Sequence, residues 1–230
     1  MKAWKKYQEN AAEHFRALGM TASTDSEVRG VRTNHDVDVL VTSHYAGFDI
    51  TWIVECKHWK TPVNKLHVLA LREIVADVGA DRGILLSESG FQSGAIEAAN
   101  LTNIQVTSLR DATLTAAPSI YAIRLNDLLN RTAICKDRYW EIPKRERIRH
   151  GLRPEVGQAS YSAVQTMEMC SDLITRALRG NFPFRSDQLG ALVKFGTKEF
   201  ESALEVLVIV EPEITSLETK LNEYDSYQKQ

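Results

Sequence analysis

The sequence predicts an α/β protein, a mixed β-sheet flanked by helices, with a helical C-terminal region. Three observations carry that prediction. Two apolar runs, Val37–Thr42 and Ile50–Lys57, flank the turn-like Tyr45-Ala46-Gly47-Phe48 and so read as a hairpin. Downstream of the hairpin, helix-periodic segments alternate with short apolar ones. From about residue 155 the pattern is helical throughout.

Each element has its own justification. Trp4, Tyr7, Ala11, Phe15 and Leu18 recur at helical spacing, which predicts an amphipathic helix over residues 2–18, stopped by Gly19. After the hairpin come a helix over 64–78, a buried strand Gly83–Ser87, a helix Ser93–Asn100 and a strand Ile104–Ser108. Hairpin strands pair antiparallel, and strands joined through helices pair in parallel, so the sheet is mixed. From Lys136 to Arg153 there are seven Lys/Arg, punctuated by Pro143 and Gly151, with Pro154 and Gly157 just beyond. This stretch reads as a basic linker, dividing the chain into 1–135, 136–154 and 155–230. In the last part, Leu189, Leu192, Val193 and Phe195, then Leu204 and Val206 to Val210, suggest a packed bundle or a dimerisation surface.

Composition sets outer bounds. The 230 residues carry 28 Lys+Arg against 30 Asp+Glu, a net charge of −2, with 43% apolar residues. A chain this apolar buries a core and is not globally disordered. Near-zero net charge argues against a protein that coats nucleic acid through bulk positive charge. The charge is uneven, however: +2 over residues 1–150 and −4 over 151–230. The first twenty residues lack the apolar core of a secretory signal, and no window approaches the length of a membrane span. Cys56, Cys135 and Cys170 form no CxxC, so neither a disulfide framework nor a zinc knuckle is indicated, and the cytoplasm is the expected compartment.

The chemistry concentrates in the hairpin. Centred on Ala46-Gly47, its register sets Asp38 opposite Glu55, Val39 opposite Val54, Leu40 opposite Ile53 and Val37 opposite Cys56. Side chains alternate along a strand. One face should therefore carry Val37, Val39, Val41, Trp52, Val54 and Cys56, and the other Asp38, Glu55 and Lys57 with Leu40 and Ile53 behind them. Opposed residues hold their Cβ atoms about 4.5–5.5 Å apart, where two carboxylates repel unless a cation lies between them. Mg²⁺, which takes one or two carboxylates and keeps waters, suits that position. Lys57 adds an ammonium beside it, able to orient a water or stabilise a phosphoryl transition state. A Glu-x-Lys triplet alone means little: Glu218-Thr219-Lys220 repeats it in the tail, where a solvated face accounts for it. The apolar strand and the opposed acid distinguish Glu55-Cys56-Lys57 from that control.

Asp38 followed by Glu55-x-Lys57 after an apolar strand resembles the PD-(D/E)xK nuclease superfamily, of restriction-endonuclease-like fold, and in particular its Mrr-type branch. The likeness extends to the first helix ending in Leu18-Gly19, the strand Val37-Asp38-Val39, the continuation His58-Trp59-Lys60 and the turn Ser89-Gly90-Phe91 leading into a helix. It covers roughly residues 1–110. The resemblance implies Asp38 and Glu55 as metal ligands and Lys57 as the catalytic lysine. It also implies an acid from the first helix, for which Glu13 is the choice, with an ordinary exposed helix acid as the other reading. In place of a glycine-rich approach the chain has Gly30-Val31-Arg32-Thr33-Asn34-His35-Asp36. A shift of two residues would make Asp36 the ligand; Asp38 is preferred because it lies inside the apolar strand.

The resulting expectation is a Mg²⁺-dependent endodeoxyribonuclease, with Mn²⁺ as a possible substitute, acting on DNA as a restriction-type enzyme. Cutting both strands needs two sites, so a homodimer is expected. Arg29, Arg32, His58, Trp59 and Lys60 are the candidate DNA contacts. A junction-resolving or repair nuclease and a catalytically inactive nucleic-acid-binding module are the alternatives.

Overall fold

A computed structural model describes residues 2–228. The chain divides into two compact units, the first ending at Ala117 and the second starting at Pro118. The first contains α1 (Ala3–Ala17), β1 (Thr21–Arg29), β2 (Asn34–Tyr45), β3 (Phe48–Cys56), α2 (Lys65–Val78), β4 (Arg82–Leu86), α3 (Ser93–Ala99) and β5 (Ile104–Thr107). The chain passes into the second unit within α4 (Leu109–Glu141), and continues through α5 (Lys144–Arg149), α6 (Ala163–Leu178), α7 (Leu189–Phe195) and α8 (Ala203–Gln228). No described helix is long and apolar enough to cross a membrane.

The sheet of the first unit runs β1-β2-β3-β4-β5, antiparallel through β3 and parallel from β3 to β5. The expected mixed α/β architecture is therefore present. Strand alternation feeds a core on each face. Val39, Val41, Val54, Ile84 and Leu86 pack against Tyr7, Ala11, Ala12 and Phe15 of α1. Ile53, Leu85 and Ile104 pack against Val68, Leu71 and Val75 of α2 and Ala95 of α3. Local signals fix the boundaries of α2: the Asn64 carboxamide accepts from the Leu66 N–H, and Gly79 ends the helix at a φ of 72°. Gly83 allows β4 to approach the helix, since a Cβ there would lie 2.8 Å from a Val75 methyl.

The hairpin register agrees with the sequence reading from Tyr45↔Phe48 to Val39↔Val54. Beyond that point the strands part. The Asp38↔Glu55 and Val37↔Cys56 pairs are absent from the ladder. Val37 joins the core on the α2 face, whereas Cys56 packs on the α1 face with Val39 and Val54. The expected uniform apolar face thus breaks at Asp38, because β3 continues alongside β4 while β2 continues with β1 alone.

The second unit is helical, as expected. Leu125 and Leu128 of α4 pack with Cys170, Leu173 and Ile174 of α6 and Val206, Leu207 and Val210 of α8. Arg124–Glu211, Arg131–Glu218 and Arg138–Asp225 ion pairs tie α4 to α8. The stretch 136–154, expected as a linker, forms the end of α4 and all of α5. Tyr139, Ile142, Arg147 and Leu152 are buried there, with the Arg147 guanidinium 4.6 Å from the Tyr139 ring centre and 4.7 Å from that of Trp140. Its charges ride on a packed helix pair because apolar residues at helical spacing, not visible as a long run, anchor it.

Candidate active site

Where β2 and β3 part, the Asp38 carboxylate fills the gap. Its Oδ2 accepts from the Cys56 N–H at 2.7 Å and its Oδ1 from the Gln8 carboxamide of α1 at 2.6 Å. A side chain has replaced a missing ladder bond, so Asp38 is held by backbone and helix together. Glu55, one residue before Cys56, lies near enough to Asp38 for their charges to oppose each other. Burial, and then the Asp38 charge, push the Glu55 carboxyl above its ordinary pKa, while Lys57 opposes the rise. The Lys57 ammonium donates to Glu55 Oε1 at 2.7 Å, and its stem and head are largely sheltered.

Lys57 lines two cavities. One, of about 400 Å³, is shared with Asp38, Gln8, Trp4, His58 and Trp59. The other, of about 200 Å³, is shared with Glu55, Asp36 and His67. Asp36 therefore stands beside Glu55 and Lys57 on the α2 side, while Asp38 is reached from the α1 side. His67 of α2 packs edge-on against Trp59, with ring centres 4.8 Å apart, and burial together with the Lys57 charge lowers its pKa.

The first-helix acid needs a correction. Glu13 is exposed and lines neither cavity, because the inward stripe of α1 is Tyr7, Gln8, Ala11, Ala12 and Phe15. The residue that α1 presents to Asp38 is Gln8. Its other atom, Oε1, is buried without a hydrogen-bond partner. The candidate DNA contacts also divide. His58 lies against Tyr7, with ring centres 5.4 Å apart, and Trp59 carries the Lys57 ammonium 5.5 Å from its ring centre. Arg29 and Lys60 are exposed. Arg32 is instead engaged with α2: its Nε donates to Asp77 Oδ1 at 2.8 Å, and Glu73 lies 3.5 Å from another nitrogen. His35 shares the same Asp77 at 2.8 Å. Arg32 and His35, chiefly through the Arg32 hydrogen bond, hold the Asp77 carboxyl below the usual carboxylate range, so this group pins the β1–β2 turn to α2.

Three residues of the site escaped the sequence reading: Gln8, His67 and, as a cavity-lining residue, Trp4. Gln8 left a usable trace, a polar residue on the apolar stripe of a helix. His67 left none, since a single histidine in an amphipathic helix is ordinary.

Among known proteins, residues 2–115 match the family model Mrr_cat, described as restriction endonuclease. The crystal structure of AF1548, a protein of unknown function, aligns over 76% of this chain and 99% of its own, at 16% identity and a TM-score of 0.41. No curated protein matches the chain. Residues 2–115 therefore belong to the Mrr-type restriction endonuclease family, a PD-(D/E)xK branch of the restriction-endonuclease-like nucleases.

Proposed function

We propose that the chain is a divalent-metal-dependent endodeoxyribonuclease of the restriction type, hydrolysing DNA phosphodiester bonds at Asp38, Glu55 and Lys57. The observation that carries this reading is the meeting of two carboxyls and one ammonium where β2 and β3 part, within a domain of a nuclease family.

The donor set fits a hard cation such as Mg²⁺ or Mn²⁺. Asp38 and Glu55 supply two carboxylates that interact unfavourably without a positive charge between them. Gln8, which holds Asp38, also carries a buried, unpartnered neutral oxygen, Oε1. Among the described residues no three His, Cys, Asp or Glu side chains converge as a metal site, so waters would complete the shell, as Mg²⁺ prefers. Bound there, the cation would supply Lewis-acid stabilisation of the charge that develops on the phosphate.

The protein's own residues do the rest. Asp38, gripped by Gln8 and the Cys56 N–H, keeps its position through the reaction. Lys57 orients the attacking water and donates to the phosphoryl oxygen on which charge builds. The water oxygen bonds to phosphorus, the bond to the leaving oxygen breaks, and that oxygen takes up a proton. Arg29 and Lys60 are free to contact phosphates. Cutting both strands requires two such sites, so the active species in this reading is a homodimer. The 2.7 Å Lys57–Glu55 pair is the one observation favouring a second reading, an inactive DNA-binding module whose charges form a closed salt cluster. Plasmid cleavage in Mg²⁺, Mn²⁺ and EDTA by the full chain and by Lys57→Ala separates the two. Cleavage that requires metal and Lys57 is expected; DNA binding without cleavage in either metal would favour the second reading.

A further inference from the structure

We propose that Trp4 and Trp59 form a nucleobase-stacking site beside Asp38 and Lys57, and that the substrate is DNA whose bases are unpaired at the point of cleavage. This inference rests on the nuclease reading for the identity of the polymer and deepens it by naming the form of DNA.

The first unit contains three tryptophans, and two of them line the same cavity. Trp52 sits against Phe15 at the sheet, with ring centres 6.1 Å apart. Trp4 and Trp59 are instead 48% and 44% exposed. An indole is among the side chains whose burial contributes most to folding, so two of them left about half open around one cavity are only partly used by the fold. Trp4 continues the apolar stripe of α1 by one turn past Tyr7. Trp59 approaches from the segment that follows β3, and His67 at its edge fixes the ring plane. Both indoles are therefore carried or braced by regular elements, which lowers the cost of ordering them around a ligand.

The space between them, about 400 Å³, is of the size that small flat ligands occupy. It shares Asp38 and Lys57 with the proposed reaction centre. In an intact duplex every base face is covered by its neighbours, and only edges and phosphates are presented. Indoles next to the scissile phosphate gain nothing from such a substrate. With a base splayed out of the stack, the same rings bind it whatever its identity, since every base has a π-face. The phosphate attached to that base would then lie beside Lys57.

The test reads binding in EDTA, by fluorescence anisotropy of labelled oligonucleotides with the full chain. Three ligands are compared: a single strand, a fully paired duplex and the same duplex with one unpaired base. The single strand and the bulged duplex should bind about ten-fold more tightly than the paired duplex. Trp4→Ala and Trp59→Ala should each remove most of that preference, while Trp4→Phe and Trp59→Phe retain it. Equal affinity for all three ligands, or alanine variants that weaken all three alike, would overturn the proposal. Because the readout needs no metal, it stands apart from catalysis. Tryptophan-dependent binding without Mg²⁺-dependent cleavage would sink the nuclease reading and leave the stacking site. Cleavage that ignores base pairing, with no tryptophan effect on binding, would do the reverse.

Discussion

The same Glu-x-Lys triplet occurs in both units and meets opposite electrostatics. In the helical unit Glu218 receives a bidentate guanidinium from Arg131 of α4, at 2.9 and 2.7 Å, and that hydrogen bond lowers its pKa. Lys220 rests over the Tyr161 ring, 5.1 Å from its centre. In the sheet unit Glu55 is half-buried near Asp38, and its pKa rises despite Lys57. Folding alone favours the first arrangement and opposes the second. A charge held where the fold does not favour it is a mark of a functional site, which in the reading proposed above would take a cation and a phosphate.

That contrast breaks most visibly at Asp38. Asp38→Asn keeps an oxygen for the Gln8 carboxamide but removes the charge, and plasmid cleavage should fall by about 10³-fold. Gln8→Ala comes next: with its support of Asp38 gone, the Mg²⁺ concentration for half-maximal cleavage should rise about 10- to 100-fold, read from a metal titration. Arg131→Ala strikes the satisfied triplet instead. Its loss should cost about 1 kcal/mol, a fall in Tm of about 2–4 °C by calorimetry, with cleavage unaffected. The smallest effect has the opposite sign. Folded Glu55 holds its proton more readily than the unfolded residue, so in EDTA stability falls as pH rises from the ordinary carboxylate value through the raised one, and stays lower above it. Glu55→Gln should lack that fall and, at neutral pH, melt a degree or two higher, about the scale of a modest surface change, while cleaving nothing.

Much of this was legible because short-range rules governed it. A two-residue loop with positive φ at both Ala46 and Gly47, 52° and 86°, sets the hairpin register as far as Val39↔Val54, and so puts Asp38 and Glu55 at the neighbouring ends of the paired segments. The parting of the strands was not legible, because it depends on β4 taking β3 as its neighbour and on one carboxylate capturing the Cys56 N–H. β1 escaped notice for a different reason. Within Thr21–Arg29 only Ala22 is buried, so this edge strand leaves no apolar alternation to read. Charge marks Glu13 in the sequence, whereas burial of the helix stripe selects Gln8. In the second unit a signal was present and unread: Arg124, Arg131 and Arg138 recur every seven residues, as do Glu211, Glu218 and Asp225. Matched repeats of opposite charge predict two helices side by side, and the observed pairs show that they run in the same direction.

In the proposed reaction Glu55-Cys56-Lys57 acts chemically and Glu218-Thr219-Lys220 does not. The most direct test is the Mg²⁺-dependent cleavage rate of Lys57→Ala and Lys220→Ala, measured side by side on DNA that the unaltered protein cuts. The prediction is a loss of about 10³-fold for Lys57→Ala, with Lys220→Ala indistinguishable from the parent. Equal rates for the two variants would contradict it.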